Sequence, residues 1–572
     1  MKRLINAASD VTVDMLAGIA LADRRVLIMP EYNVIVRADY ATYCDIGRVA
    51  LVSGGGSGHE PAHAGYVGAG MLTAAVAGEV FTSPSVDAVL VAIRLVTGPA
   101  GCLLIVKNYT GDRLNFGLAA ALARAEGLKV AVVLVDDDVA LAAGKSRAGA
   151  RGLAGTMLVH KVAGAAAEAG ATLEALQIEL ERLVPNIGTM GVGLSACTVP
   201  VNGTPSFVLA DDEIEYGLGI HGEPGASREP PAAAEAIARR LIDTIAERKS
   251  IKAGARVVLM INGLGGTPPA ELSIVAGSAI QICRERGFIV DRVMVGSFLT
   301  ALEMAGCSIT LAIASEQMLD RLDAPTDAPA WSTPLTPASK LQLLAAPVTA
   351  PALVSTGGPL ASPAMQVRLR AAVQASADAL IAAEPVLTEL DSKVGDGDLG
   401  ISMARGARAV LHELDALDPA HPAVMLEQIS AILRRSVGGT SGPLYAALTL
   451  AVAISLREEG GILALADWAR ALAAGCQAIT DLGGAKHGDR TMLDALVPAT
   501  EALVKDAQGG SSADDALARA VHAARAGADR TAALDPRFGR SSYVGDRAIG
   551  HVDPGAEAVT VWLGALPKSD PQ

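Results

Sequence analysis

Two histidines stand in separate glycine-rich stretches, SGGGSGHEP at 53–61 and GIHGEPG at 219–225. A third stretch, DSKVGDGDLG at 391–400, gathers Asp391, Asp396 and Asp398. His221 lies between Gly219 and Gly222, which let the backbone present its ring without a Cβ clash. A neutral imidazole placed so is a candidate nucleophile, base or ligand. Three neighbouring carboxylates disfavour one another unless cations neutralise them, and hard oxygen donors select Mg²⁺ or Ca²⁺. An EF-hand is excluded, because Ser402 stands where that loop needs its glutamate. Mg²⁺ shares its shell with phosphates, so the pattern describes transfer from a bound phosphate donor to a substrate held elsewhere in the chain.

Further polar stretches join these. Gly54, Gly55, Gly56 and Gly58 follow an apolar run, but a dinucleotide fingerprint would need a glycine where His59 stands. No Gly-Lys-Ser/Thr follows, so a P-loop is excluded as well. Lys107 and Asp112, in KNYTGD, place a cation and a carboxylate after another apolar run. GGTSGPL at 438–444 opens a helical pattern and is a candidate phosphate seat through free amides and the helix dipole. GGAKHGDRTM at 483–492 and GRSSYVGDRAIGHVDPG at 539–555 complete four such loops, the last with Arg540, Arg547, Asp553 and Gly555. Their grouping predicts a nucleotide site at one end of a helical domain.

The elements that must position these residues fall into two classes. Between 45 and 320, continuous apolar runs alternate with amphipathic stretches: RVALVS, CLLIV, KVAVVLV, RVVLMIN, FIVDRVMV and SITLAIA. Runs without polar alternation predict strands covered on both faces, with ligand loops at their carboxyl ends. An α/β domain is expected over 1–325. Residues 326–364, rich in Pro, Ala, Thr and Ser, are expected to be a linker. Helical spacing follows over 365–390, 404–415, 423–436, 442–457, 463–480, 489–507 and 513–528, which predicts an all-helical bundle over 365–568.

Composition narrows the function. Net charge is −14 and aromatics are 3% of 572 residues, which argues against nucleic-acid binding. The six cysteines are scattered without a CxxC pair, as in a reducing cytoplasm rather than a disulfide framework. No signal-peptide pattern and no uninterrupted membrane-length apolar run is present, so a cytoplasmic protein with no membrane partner is expected.

Taken together, SGGGSGHEPAHAGYVGAGMLTAAVAGEVFTSPS, KNYTGD, GIHGEPG, GDGD, GGTSG, GDRTM and SYVGDRAIGHVDPG resemble the single-chain, ATP-dependent dihydroxyacetone kinases, in that family's order and across both domains. The resemblance implies that His221 holds the ketone as a covalent hemiaminal. It implies a pocket of Gly56, Ser57, Gly58, His59, Lys107 and Asp112, with Asp112 taking the proton of the attacking hydroxyl and His59 assisting. It implies Mg²⁺ on Asp391, Asp396 and Asp398 and an α-helical barrel that binds ATP. Nucleotide contacts would fall on Leu399, Gly400, Ile401, Ser402, Thr440, Ser441, Gly483, Met492, Arg540, Asp553, Pro554 and Gly555, and the family suggests a homodimer. The chain departs from the family's GDGDHG and its following Asn at Leu399 and Ser402. Erythrulose or glyceraldehyde as substrate, and cleavage of FAD to a cyclic FMN, are the alternatives the same architecture allows.

Overall fold

The computed structural model describes residues 2–140, 150–201, 203–344, 358–543 and 545–567. Part of the expected linker, 345–357, and Lys568 lie outside the described residues. The chain divides into two compact units, Met1–Leu344 and Ala345–Gln572.

The first unit holds two six-stranded sheets. One contains β1 (Val26–Met29), β2 (Val34–Arg37), β3 (Ala50–Ser57), β4 (Ala74–Val80), β5 (Cys102–Lys107) and β6 (Val130–Val135) in the order β1-β2-β4-β3-β5-β6. Strands β4, β3, β5 and β6 run parallel, and β2 and β1 join antiparallel at one edge. The second sheet contains β7 (Ile187–Gly193), β8 (Ile214–Tyr216), β9 (Ser227–Glu229), β10 (Arg256–Gly263), β11 (Ile289–Gly296) and β12 (Gly306–Ile313), ordered β11-β10-β12-β7-β8-β9. Only its β10–β11 pair is parallel. All six apolar runs read as strands occupy strands of these sheets, and every residue of β3 and β5 is buried. Helices Val86–Val96 and Thr110–Ala125 cover one face of the first sheet. The other face shares a core with the second sheet, and helix Gly155–Glu168 lies in that core with Gly155 through Ala167 buried.

Three expectations are corrected. The glycine run does not form a loop after the strand: Gly54, Gly55 and Gly56 are paired residues of β3. A Cβ on Gly54 would fall 2.3 Å from the Val76 carbonyl oxygen, so the missing side chain brings β4 close. The expected linker begins as packed chain: Ala328 and Trp331 are buried in the shared core, and Leu335 bridges Val293. Its apolar anchors were hidden among prolines. In the second unit the run 365–390 is two helices, Pro363–Ala382 and Glu384–Val394, since Pro385 lacks the amide that would continue the first.

The second unit is helical throughout its described residues, through Leu399–His412, Pro422–Ser436, Ser441–Arg457, Leu465–Gly483, Leu493–Gln508, Ala513–Arg530 and Pro554–Gly564. The all-helical expectation holds; the last helix escaped notice because its apolar run is short and follows a polar loop. No described helix is long and apolar enough to cross a membrane.

Close backbone approach in the shared core gives one stability prediction. A Cβ on Gly164 would meet the Gly70 carbonyl oxygen and Met71 Cα, both at 2.3 Å. Backbone cannot yield as a side chain does, so Gly164→Ala is expected to destabilise the first unit by about 1–3 kcal/mol in urea unfolding.

Candidate active site

His59 ends β3's glycine run, and His221 follows β8 of the other sheet. The structure brings them together: His59 Nε2 lies 3.0 Å from His221 Nε2. Each outer nitrogen is committed. His59 Nδ1 donates to the Thr300 carbonyl at 2.7 Å, and His221 Nδ1 donates to Glu223 Oε1 at 2.8 Å. Two neutral rings held this way would oppose lone pairs, so a hydrogen bond between the Nε2 atoms requires a shared proton. Burial, then the Lys107 charge, pushes the His59 pKa well down, so positive charge is disfavoured there. Glu223 stands behind His221 and balances charge on that ring. Burial raises its carboxyl, but the His221 hydrogen bond and charge together with two backbone hydrogen bonds outweigh it and bring the pKa down to about 2.

The second sheet also supplies the wall. The Asn262 amide, at the end of β10, donates to the Leu299 carbonyl and accepts from the Phe298 and Leu299 amides. This clamp presents Thr300, whose hydroxyl donates to the Glu60 carbonyl at 2.8 Å, and the Leu302 amide donates to the Gly58 carbonyl at 2.7 Å. Aromatic rings complete the surround: Phe81 stacks on His59 at 5.0 Å, and Tyr109 meets His221 edge-on at 4.8 Å.

The remaining expected residues divide. Lys107 ends β5, wholly buried; burial pulls its pKa down while Asp112 and Glu223 hold it up. Asp112 lies in the first turn of helix Thr110–Ala125 and accepts a hydrogen bond from Ser83 Oγ. His59 bonds Thr300 and His221, not Asp112, so its assistance to Asp112 is not through a direct contact. Gly56 makes room for chain rather than ligand: a Cβ there would fall 2.6 Å from the Thr82 amide nitrogen. Ser57 Oγ donates to the Gly78 carbonyl and accepts from Thr12, which turns it into strand packing. Gly58 has φ of +96°, and its amide donates to Glu60. Sequence reasoning missed Glu223, Thr300, Tyr109, Phe81 and Ser83. Of these, only Glu223 left a signal, as the acidic residue two positions after His221.

In the second unit, one oxygen or more from each of Asp391, Asp396 and Asp398 lies within 4.8 Å of the others. Asp391 Oδ2 accepts the Asp398 and Leu399 amides at 2.9 and 3.1 Å, folding the acidic turn onto the start of helix Leu399–His412. Hard oxygens of this number and closeness suit Mg²⁺. Gly400 is tight packing, because a Cβ would fall 2.3 Å from the Glu384 carbonyl oxygen; Ile401 is exposed and Ser402 buried. Arg405, also missed, reaches Ser402 Oγ at 3.5 Å and the Ser436 carbonyl at 2.8 Å. It thereby ties the acidic turn to the GGTSG loop, where exposed Thr440 precedes Ser441, first residue of Ser441–Arg457. The other loops meet this one in sequence: Gly483 lies against Leu444, Gly484 against Phe538, and Gly555 against Met492. Arg540 falls in the short turn Arg540–Tyr543. Asp553 caps helix Pro554–Gly564 by accepting the Ala556 amide at 2.8 Å. Burial pushes its carboxyl up to about 6, with Arg490 pulling down and Asp494 pushing up. The four loops do gather at one end of the unit.

Comparison with known proteins agrees with this division. Residues 17–330 match the Dak1 domain and 393–568 the DAK2 domain. A triokinase/FMN cyclase of Homo sapiens is 41% identical over 578 residues, covering 99% of this chain and 98% of its own. A dihydroxyacetone kinase of Citrobacter freundii is 36% identical over 560 residues, covering 95% and 93%. The crystal structure of the C. freundii dihydroxyacetone kinase in complex with AMP-PNP and Mg²⁺ is similar with a TM-score of 0.66, at 35% identity and 99% coverage of both chains.

Two predictions come from this geometry. Glu223→Gln removes the charge behind His221 and is expected to lower kcat/KM for the small-molecule acceptor by about 10²-fold, leaving the KM for nucleotide unchanged in steady-state assays. Asp553 has a raised carboxyl pKa, so its contribution to stability is full below the ordinary 3.8 and is lost as pH rises through 6. Asp553→Asn is therefore expected to melt like the parent at pH 4 but to be more stable by about 1–3 kcal/mol at pH 8.

Proposed function

Because this chain belongs to the dihydroxyacetone kinase family, we propose that it transfers the terminal phosphoryl group of Mg-ATP to dihydroxyacetone, giving dihydroxyacetone phosphate. The observation that carries this reading is the His59–His221 pair backed by Glu223. In the proposed sequence a ketone enters between the rings, and His221 Nε2 gives up its proton to His59 Nε2. The freed lone pair then attacks the carbonyl carbon. A C–N bond forms, the C=O π pair moves to oxygen, and that oxygen takes the proton from His59. His221, now bonded to carbon at Nε2 and still protonated at Nδ1, carries a positive charge that Glu223 balances. Charge and protons are conserved from start to adduct.

The same reading gives selectivity. Glycerol has no carbonyl carbon to attack, so covalent capture separates it from a ketone where hydrogen bonding to a small triol would not. Asp112 would take the proton of the hydroxyl that attacks phosphorus, held for the task by Ser83. Lys107 would supply a buried positive charge in the ketone pocket. On the helical unit, Asp391, Asp396 and Asp398 would hold Mg²⁺, which neutralises phosphate charge during transfer. Arg405, Ser402, the 440–441 helix start, Gly483, Met492, Arg540 and Asp553–Gly555 would form the nucleotide's surroundings.

Free, buried cysteines support the cytoplasm as the place of action, and the family supports a homodimer. The ketone site then belongs to the unit Met1–Leu344 and the ATP site to the unit Ala345–Gln572. Glyceraldehyde as acceptor and cleavage of FAD to a cyclic FMN stay the alternatives, and a relative is named triokinase/FMN cyclase.

Incubating the protein with Mg-ATP and each of dihydroxyacetone, erythrulose, glyceraldehyde and glycerol, and measuring ADP release, tests the reading. Turnover is expected with a ketone, none with glycerol, and none with any acceptor after EDTA treatment. His221→Ala is expected to abolish ketone phosphorylation. No turnover with any ketone would overturn the proposal.

A further inference from the structure

A second imidazole pair lies on the same face of the first sheet as Lys107 and takes no part in the steps above. His63 Nδ1 is 2.9 Å from His160 Nε2, and both rings are buried. The tautomer follows from a neighbour. Ser53 Oγ lies 3.5 Å from His63 Nδ1 and spends its own proton on the Ile105 carbonyl at 2.7 Å, so it has only lone pairs to offer His63. His63 Nδ1 is therefore the donor, shared between His160 Nε2 and Ser53 Oγ. In a neutral ring that leaves His63 Nε2 as a bare acceptor. Burial first, then the Lys107 charge, drives both rings toward the neutral form.

That bare nitrogen is buried and makes no hydrogen bond among the described residues. It faces the same point as the Lys107 ammonium. A Cβ on Gly55 would fall 2.9 Å from Lys107 Nζ and 3.6 Å from His63 Nε2, so the absent side chain leaves the two groups converging beneath β3. Either tautomer leaves one buried N–H without a partner, His160 Nδ1 in the assigned arrangement and His63 Nε2 in the opposite one, but only the opposite one would turn that N–H toward an ammonium in a desolvated space. The titratable groups facing His63 are His160 from helix Gly155–Glu168, Lys107 from β5 and His59 from its own loop, with Tyr66 beyond His160.

We propose that His63, oriented by His160 and Ser53, is a positioning residue for Lys107: its Nε2 lone pair steadies the buried ammonium so that the ketone pocket keeps its positive charge. The inference rests on the reading of Lys107 as a pocket cation, and it adds a part of the sheet that the reaction does not otherwise reach.

Amide substitutions separate this role from simple packing. Glutamine can put an oxygen where Nε2 stands, but loses the contact with His160. Asparagine keeps the Nδ1 contact with His160 and offers nothing toward Lys107. If His63 acts through Nε2, His63→Gln stays within about threefold of the parent in ketone kcat/KM, whereas His63→Asn and His63→Leu fall about tenfold, with KM for ATP unchanged. In the two weak variants the alkaline limb of the pH profile moves to lower pH, because an ammonium without its acceptor loses its proton more readily. Asparagine performing as well as or better than glutamine, all three matching the parent, or all three failing alike with parental melting temperatures would each overturn the proposal. A measurement on the unmutated chain guards against variants that do not fold. In protein labelled with ¹⁵N-histidine, the His63 ring is expected to show a pyrrole-type Nδ1 and a pyridine-type Nε2, and a protonated Nε2 would overturn the assignment. Absence of ketone phosphorylation by the parent chain itself would instead strike the proposed function, which the NMR measurement does not depend on.

Discussion

The first unit is organised around a contact between two imidazoles. His59 and His221 arrive from different sheets, and each has its outer nitrogen fastened before the rings meet: one on the Thr300 carbonyl, the other on Glu223. Those two bonds dictate the chemistry of the inner nitrogens at 3.0 Å, since neither ring can change tautomer without losing a hydrogen-bond partner. A histidine pair with free outer nitrogens would settle into donor and acceptor and be inert. Here a hydrogen bond between the inner nitrogens requires a proton beyond those of two neutral rings, and in the proposed reaction that proton goes to the carbonyl oxygen when a nucleophile reaches its carbon.

Much of the unit serves to hold that geometry across the seam between sheets. Asn262 divides its amide between the 298–299 backbone and the Ser308 hydroxyl, which fixes the carbonyl that faces His59. The glycines of β3 allow backbone from β4 and the 81–82 turn to close in, and this brings the Phe81 ring flat against His59. Phe81 itself adopts a φ of +60°, an uncommon conformation for a bulky residue, with its ring stacked on His59. The helical unit uses charge differently. Its acidic turn offers negative oxygens at the surface, while Arg490 is sunk among the carbonyls of Thr531, Ala548 and His551 to brace the loops behind it.

Residue type and local spacing carried the parts of this site that are contiguous in the chain. His59 and His221 announced themselves by their glycine neighbours, and the three aspartates by their crowding. The six apolar runs that became strands were legible because burial on both faces leaves no room for polar alternation. β7, IGTMGVG, was not, because glycines dilute its apolar signal. What escaped was what long-range pairing creates. Thr300 acts through its carbonyl, which no side-chain pattern can reveal, and it meets His59 across 241 positions of chain. Ser57 has the right type and place for a ligand contact, yet its hydroxyl is taken by Gly78, a partner known only once β3 and β4 are paired. Likewise Trp331 reads as part of a proline-rich tether until the core that receives it exists.

The glycines of 54–56 show why a motif's chemistry and its residues' roles can differ. Read locally, they clear space for a ligand. In the fold each clears space for protein: a β4 carbonyl at Gly54, the Lys107 ammonium and His63 ring at Gly55, and the 81–82 backbone at Gly56. On the proposed reading the ligand's room comes instead from between two imidazoles on different sheets. A small substrate can enter such a gap only by taking over the contact it breaks. A carbonyl does so on both sides at once, its carbon accepting one ring's lone pair and its oxygen the proton handed on by the other. An alcohol could replace the hydrogen bond but not the lone-pair acceptor, so discrimination between a ketone and the corresponding triol follows from how the two rings are held rather than from the size of the space between them.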